Sequence, residues 1–202
     1  MGDTHFVNPT GLPAEGHVTS AWDIALMSRE LVLHHPDIRR FTTIWMDTIR
    51  DGAFGLTNTN RLVRFYPGCT GLKTGSTSKA GFCISVTAER EGFSLICVIM
   101  GAESRDVRNA AAVSLLDWGF ANYSKVTVSV TDDEIMGVRV LGGTADYVTP
   151  LPPKEISMIL KKGDESKLTK TVTLSEDVSA PVEKGQKLGA VVLSLDGEKQ
   201  CE

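Results

Sequence analysis

A chain of 202 residues is long enough for one or two domains with a real core. Its net charge of −4 and pI near 5.6 leave no basic field to collect phosphates, which excludes a nucleic-acid binder. The longest apolar run, Phe93 to Ala102, is about half of what a bilayer span needs.

The opening Thr4-His5-Phe6-Val7-Asn8-Pro9 reads as a strand or loop already under way. No signal peptide precedes it, and Phe6 stands where an N-myristoylation site needs Ser or Thr. The expectation is a piece of a longer protein. A helix is predicted from Ser20, with Asp23 completing an approximate capping box. Ile24, Met27, Leu31 and His34 or His35 keep helical spacing until Pro36 closes the run. A shorter helix is expected from Asp37. Residues 52 to 68, rich in Asn, Thr, Gly and Pro, read as loop.

Three strands follow, near 71–77, 81–89 and 93–101, apolar enough to be covered on both faces. Glu91-Gly92 joins the last two as a two-residue hairpin, setting Arg90 opposite Phe93, Cys97 opposite Val86 and Cys83 opposite Met100. Cys83 and Cys97 then point to opposite faces and cannot bridge. All four cysteines, with Cys69 and Cys201, read as free, mostly buried thiols. Ser104 caps a predicted helix over 105–122, with Val107, Ala110, Ala111, Ser114, Leu115 and Trp118 as its buried stripe.

Helical periodicity stops at Tyr123. Lys125 to Val130 alternates as a half-buried strand should, and strand-like runs follow at 136–141, 147–151, 155–161, 168–174 and 189–195. Turn signals between them predict a small all-β sandwich. The domain boundary is placed at 122–125, dividing the chain into 1–122 and 123–202. Pro181 to Gly189 resembles turns of lipoyl or biotinyl carriers, but it has no carrier-type lysine and reads as a hairpin.

The candidate chemistry lies at Lys73-Thr74-Gly75. An ammonium and a hydroxyl side by side at a strand edge make an anion receiver, and glycine lets another backbone approach. A P-loop needs Gly directly before Lys, where Leu72 stands. His34, His35 and Asp37 sit at a helix end and read as dipole-facing or solvated residues, and His5 and His17 lack ligand spacing. No metal site is expected. Arg61, Arg64, Lys79 and Arg105 could add to an anion-attracting cleft, with solvated surface their default.

The flanks carry a resemblance. His5-Phe6-Val7-Asn8-Pro9-Thr10-Gly11-Leu12, Asn58-Thr59-Asn60, Gly71-Leu72-Lys73-Thr74-Gly75 and Ala80-Gly81-Phe82-Cys83 are similar to the C-terminal portion of the penicillin-binding D-alanyl-D-alanine carboxypeptidase catalytic domain. The tail resembles the β domain that follows it in many members. The implied fold is α+β: a partial β-lactamase/transpeptidase-like domain, an antiparallel sheet with flanking helices, then the β domain. The family works through Ser-x-x-Lys, Ser-x-Asn and Lys-Thr-Gly motifs. Only the last can be placed here.

The resemblance implies acyl transfer on a peptidoglycan stem peptide ending in D-Ala-D-Ala. Lys73 would supply positive charge and Thr74 a donor to the terminal carboxylate. Gly75 would let substrate lie along the strand, and Ser76 would offer its backbone N–H to the oxyanion. Thr77 completes the substrate-binding set. The literal Ser-x-x-Lys match, Ser76-Thr77-Ser78-Lys79, follows the Lys-Thr-Gly strand, where i and i+3 face opposite ways. It is not read as the nucleophile, so none is expected in this chain, which alone should be inactive. No cofactor is implied. β-Lactams are the implied inhibitors of the full-length protein, which should act outside the cytoplasmic membrane and touch it only through a C-terminal anchor this chain lacks. A β-lactamase or D,D-endopeptidase fits the same strand less well, and a non-catalytic peptidoglycan-binding or scaffold protein is the alternative from another class.

Overall fold

The computed structural model describes residues 1–153 and 155–201. They form two compact units, Met1–Asn122 and the chain from Tyr123 onward.

The first unit is α+β. Its first twenty residues fold back through an antiparallel bridge between His5 and Val18. Helix α1 (Ala21–His34) starts where extended Ser20 accepts the Asp23 N–H on its hydroxyl at 3.2 Å. Only half of the expected capping box forms. The Asp23 carboxylate turns instead to Asp3 N–H and the Thr4 hydroxyl, at 3.0 and 2.6 Å, which ties the N-terminal segment to the helix. Pro36 ends α1 as predicted and opens a 3₁₀ turn, Pro36–Ile38, that leads into α2 (Arg39–Thr42).

The stretch read as loop holds more structure than expected. Strand β1 (Met46–Ile49) pairs antiparallel with β2 (Phe54–Thr57), and α3 (Leu62–Phe65) follows. Every β1 and β2 residue is exposed, so no buried alternation marked them in sequence.

The main sheet has the order β3-β4-β5. Its strands are β3 (Cys69–Thr77), β4 (Gly81–Arg90) and β5 (Phe93–Ala102). Glu91 and Gly92 adopt φ of 52° and 72°, the left-handed pair that a two-residue hairpin requires. The register follows: Arg90 faces Phe93 and Val86 faces Cys97, as expected. The pairing shifts between Phe82 and Ile84, so the expected Cys83–Met100 alignment is displaced by an irregularity. All four cysteines are free thiols.

Helix α4 (Arg105–Asn122) begins after Ser104, whose hydroxyl accepts the Val107 N–H at 3.2 Å. Ile84, Val86 and Ala88 alternate toward one face of β4 and form the core with Leu62, Tyr66, Cys97, Ala112 and Leu116. Ser85 and Thr87 point to the other face, which is polar but paired. The Ser85 hydroxyl meets Ser28 of α1 at 2.7 Å, and Thr87 meets Thr70 at 2.7 Å. Helices α1 and α4 therefore cover opposite faces of the sheet.

The buried stripe of α4 is not the predicted one. Arg108, Ala112, Leu116 and Gly119 face the sheet, whereas Val107, Leu115 and Trp118 are exposed. Two contacts set this rotation. A Cβ at Gly119 would lie 2.5 Å from Leu95 Cδ1, so the glycine admits Leu95. The Arg108 guanidinium donates to the Cys83 carbonyl at 3.3 Å and to Asn109 Oδ1 at 2.9 Å, so these donors are paired although the residue is buried.

The second unit is all-β, as predicted. Its strands are β6 (Tyr123–Ser129), β7 (Val138–Leu141), β8 (Tyr147–Val148), β9 (Glu155–Lys161), β10 (Leu168–Leu174), β11 (Asp177–Ser179), β12 (Gly189–Leu195) and β13 (Glu198–Cys201). They are distributed over three small sheets, β6-β9, β8-β7-β11 and β10-β12-β13. Residues 181–189 are not a hairpin. Residues 181–188 lie between β11 and β12, which belong to different sheets, and Gly189 opens β12. Among the described residues no helix is long and apolar enough to cross a membrane.

Candidate active site

Among the described residues strand β3 pairs with β4 alone, which makes it an edge strand and sets Lys-Thr-Gly along the open edge. Its start is fixed from behind. The Thr42 hydroxyl of α2 donates to the Thr70 carbonyl at 2.7 Å. Gly71 packs on that same threonine: its φ is 143°, and a Cβ there would come within 2.7 Å of Thr42 Cβ. No residue with a side chain fits this position without displacing α2.

Two asparagines clamp the loop before α3: Asn58 ties it to residues 42–44, and Asn60 ties it to β3. Asn58 donates through Nδ2 to the Ile44 and Thr42 carbonyls at 2.9 and 3.3 Å, and its Oδ1 accepts the Asn60 N–H at 2.9 Å. Asn60, only 1% exposed, donates to the Gly71 carbonyl at 3.0 Å and accepts the Leu62 N–H at 3.1 Å. Between them Thr59 is left exposed, with its hydroxyl 2.6 Å from that of Thr74.

Lys73 is exposed, donates to the Thr74 carbonyl, and enters no ion pair among the described residues. Thr74 is buried. Gly75 is exposed, and a Cβ there would meet nothing within 4 Å. Neither the fold nor the backbone therefore demands glycine at 75, and what its bare backbone leaves is room outside the strand. Ser76 is exposed on the same strand. The Thr77 hydroxyl accepts the Ala80 N–H at 2.9 Å and closes the β3–β4 turn, so that lone pair serves the fold. Ser76 lies on β3 and Lys79 in the turn after it, so no helical turn joins them as Ser-x-x-Lys chemistry requires.

Two open hollows flank the motif. One, of about 470 Å³, runs from Phe41, Ile44, Trp45 and Leu56 to Thr59, Lys73 and Thr74. The other, of about 600 Å³, lies between residues 76–82 and 101–103. The arrangement can hold an anion at Lys73 and the Thr59–Thr74 hydroxyls and can accept an extended backbone on the free edge of β3. The sequence singles out Lys73 to Thr77 as candidates and gives no role to Thr42, Asn58, Thr59 or Asn60. The Asn-Thr-Asn triplet was the available signal for the last three, since such side chains bond backbone in turns. Thr42 gave none. Among the described residues no cluster of three or more His, Cys, Asp or Glu could hold a metal.

A helix-flanked antiparallel sheet with Lys-Thr-Gly on its edge strand defines the class of penicillin-binding, transpeptidase-like proteins. Within that class the chain belongs to the D-alanyl-D-alanine carboxypeptidase family, whose model matches residues 1–104, and the model of the penicillin-binding protein 5 C-terminal domain matches residues 123–202. The chain is 38% identical to the D-alanyl-D-alanine carboxypeptidase DacF of Bacillus subtilis, over 100% of its own length and 53% of that protein. It is 29% identical to DacA of Escherichia coli, over 98% of its length and 49% of the relative. Penicillin-binding protein 5 from Haemophilus influenzae superposes with a TM-score of 0.75 at 28% identity, covering 98% of this chain and 58% of that one. Penicillin-binding protein D2 from Listeria monocytogenes in its cefotaxime-bound form gives 0.54 at 35% identity, covering 58% of this chain and 48% of that one. The chain thus spans about half the length of the curated relatives it matches.

Proposed function

We propose that this chain is the C-terminal part of a serine D-alanyl-D-alanine carboxypeptidase. Residues 1–122 then belong to its transpeptidase-like catalytic domain and 123–202 form its β-rich C-terminal domain. The observation that carries the reading is the open edge of β3, where the Lys73 ammonium, the Thr74 hydroxyl and the open Gly75 lie in sequence and Thr59 pairs with Thr74 from the neighbouring loop.

In the proposed reaction a serine attacks the carbonyl between two D-alanines of a stem peptide, D-alanine leaves, and water hydrolyses the acyl-enzyme. Lys73 holds positive charge near the nucleophile and the substrate carboxylate. Thr74 belongs to the carboxylate site. Gly75 leaves room for the stem peptide to lie antiparallel on β3, and the Ser76 backbone N–H is one oxyanion donor. The nucleophile is not among these 202 residues, whose Ser-x-x-Lys match ends in a turn. It belongs to the portion of the relatives that this chain does not match. Stem peptides lie outside the cytoplasmic membrane, so the whole protein acts there, and β-lactams would acylate it.

Intact mass after benzylpenicillin treatment tests this, on the 202-residue chain and on the product of the whole reading frame. An adduct only on the longer protein is the expected result. An adduct on neither folded form would favour the non-catalytic, peptidoglycan-binding reading.

A further inference from the structure

We infer that the terminal carboxylate is received by a hydroxyl dyad, Thr59 with Thr74, and not by Thr74 alone; the inference rests on the carboxypeptidase reading above. Thr59 is 15 residues upstream, on a different element, yet its Oγ1 lies 2.6 Å from Thr74 Oγ1. Two hydroxyls carry two protons, and the bond between them uses one. The second is available to an acceptor, whichever direction the shared bond takes. If Thr59 donates, its proton fills a lone pair of Thr74 and turns the Thr74 proton outward. If Thr74 donates, the free proton is on Thr59.

Burial favours a direct part for Thr59. Thr74 is only 7% exposed, whereas Thr59 is exposed and borders the same hollow as Lys73. An anion entering from that hollow meets the Thr59 hydroxyl and the Lys73 ammonium before it meets Thr74. The position of Thr59 is also held independently of any ligand. Asn58 and Asn60 on either side bond to the carbonyls of Thr42, Ile44 and Gly71, so the hydroxyl is fixed before substrate arrives, as a preorganised binding group should be. Thr59 is thus assigned as a substrate-binding and specificity residue: it recognises a free C-terminal carboxylate.

The test uses the whole-reading-frame protein, its Thr59→Val variant (same shape, no hydroxyl) and Thr59→Ser (hydroxyl restored). Acylation rates are measured with benzylpenicillin, which carries a carboxylate, and with its methyl ester, which does not. A charge-assisted hydrogen bond lost from the acylation transition state predicts a fall of about tenfold or more for benzylpenicillin in Thr59→Val. The ester rate stays unchanged, and Thr59→Ser recovers most of the loss. A purely structural role would slow both reagents alike, and that result overturns the inference, as does an unchanged benzylpenicillin rate. If the wild-type protein forms no adduct, the serine-enzyme reading itself fails and this inference falls with it.

Discussion

Asn60 is the residue whose loss should cost most for its size. Its side chain is 1% exposed and holds two backbone groups, the Gly71 carbonyl at 3.0 Å and the Leu62 N–H at 3.1 Å. Replacing it with alanine strands both in the interior. A buried unsatisfied polar group costs about 1–3 kcal/mol, so the pair predicts a loss of about 2–6 kcal/mol. The Cys69 thiol, 3.4 Å from the same Gly71 carbonyl, offers weak compensation and places the expectation in the lower half of that range. Asn60→Asp refines the argument. It keeps an acceptor for Leu62 but sets a carboxyl oxygen against the Gly71 carbonyl. Burial and that carbonyl raise the folded-state pKa of the introduced carboxyl above its unfolded value of about 4. The variant is then closest to wild type below pH 4 and loses stability as pH rises through the folded pKa, while the Asn60→Ala deficit stays flat. Urea unfolding followed by tryptophan emission is the assay, because Trp22, Trp45 and Trp118 all lie in the first unit. An Asn60→Ala loss under about 0.5 kcal/mol, or an Asn60→Asp deficit that ignores pH between 4 and 7, would refute the clamp.

Tyr66 should titrate late: burial, and its 2.7 Å hydrogen bond to Asp117, push the phenol up to about 12. Its folded pKa lies above the unfolded value near 10, so the stabilisation is whole below pH 10 and is lost as pH rises through 12; tyrosinate absorbance should show one late tyrosine that vanishes in Tyr66→Phe. In the second unit the Lys170 ammonium, 2.6 Å away, and the Thr131 N–H hold Glu134 at about 2. That contribution is present above pH 4.5 and lost as pH falls through 2, so Lys170→Met should move acid unfolding of this unit, followed by circular dichroism, to higher pH, and an unmoved midpoint would count against the pairing. Gly75→Ala should leave urea stability within about 0.5 kcal/mol, since a Cβ there meets nothing within 4 Å. In the whole-reading-frame protein it should slow benzylpenicillin acylation about tenfold or more by obstructing the ligand's path along β3, and an unchanged rate would remove Gly75 from the site.

The strands of the main sheet and both long helices were legible because their signals are local. Ser20 and Ser104 cap, Pro36 stops, and Glu91-Gly92 turns within two residues. The rotation of α4 was not. Hydropathy selected Val107, Leu115 and Trp118, but the helix turns Arg108 and Gly119 inward because a distant carbonyl at Cys83 and a distant side chain at Leu95 receive them. The hairpin β1–β2 was hidden because none of its residues is buried. In the site, the motif residues 73–77 were readable as a string. Their supports were not, because Thr42 acts on residues 70 and 71, and Asn60 acts on residue 71, across gaps that no local pattern spans.

These supports bear on how the site divides its labour. Apart from pairing with β4, the bonds that fix Thr59 and Thr74 among the described residues come from residues 42 to 74. The groups of the proposed carboxylate receiver thus all lie within this chain, while the proposed nucleophile does not. On the proposed reading, recognition and bond cleavage are separable in sequence: one stretch fixes hydroxyls and charge in advance, and another would bring the serine to them. Preorganisation of this kind reduces the reorganisation needed at the moment of reaction. In the whole-reading-frame protein, loosening the Asn60 clamp should accordingly lower the rate with a carboxylate-bearing reagent more than with its ester, even though Asn60 touches neither.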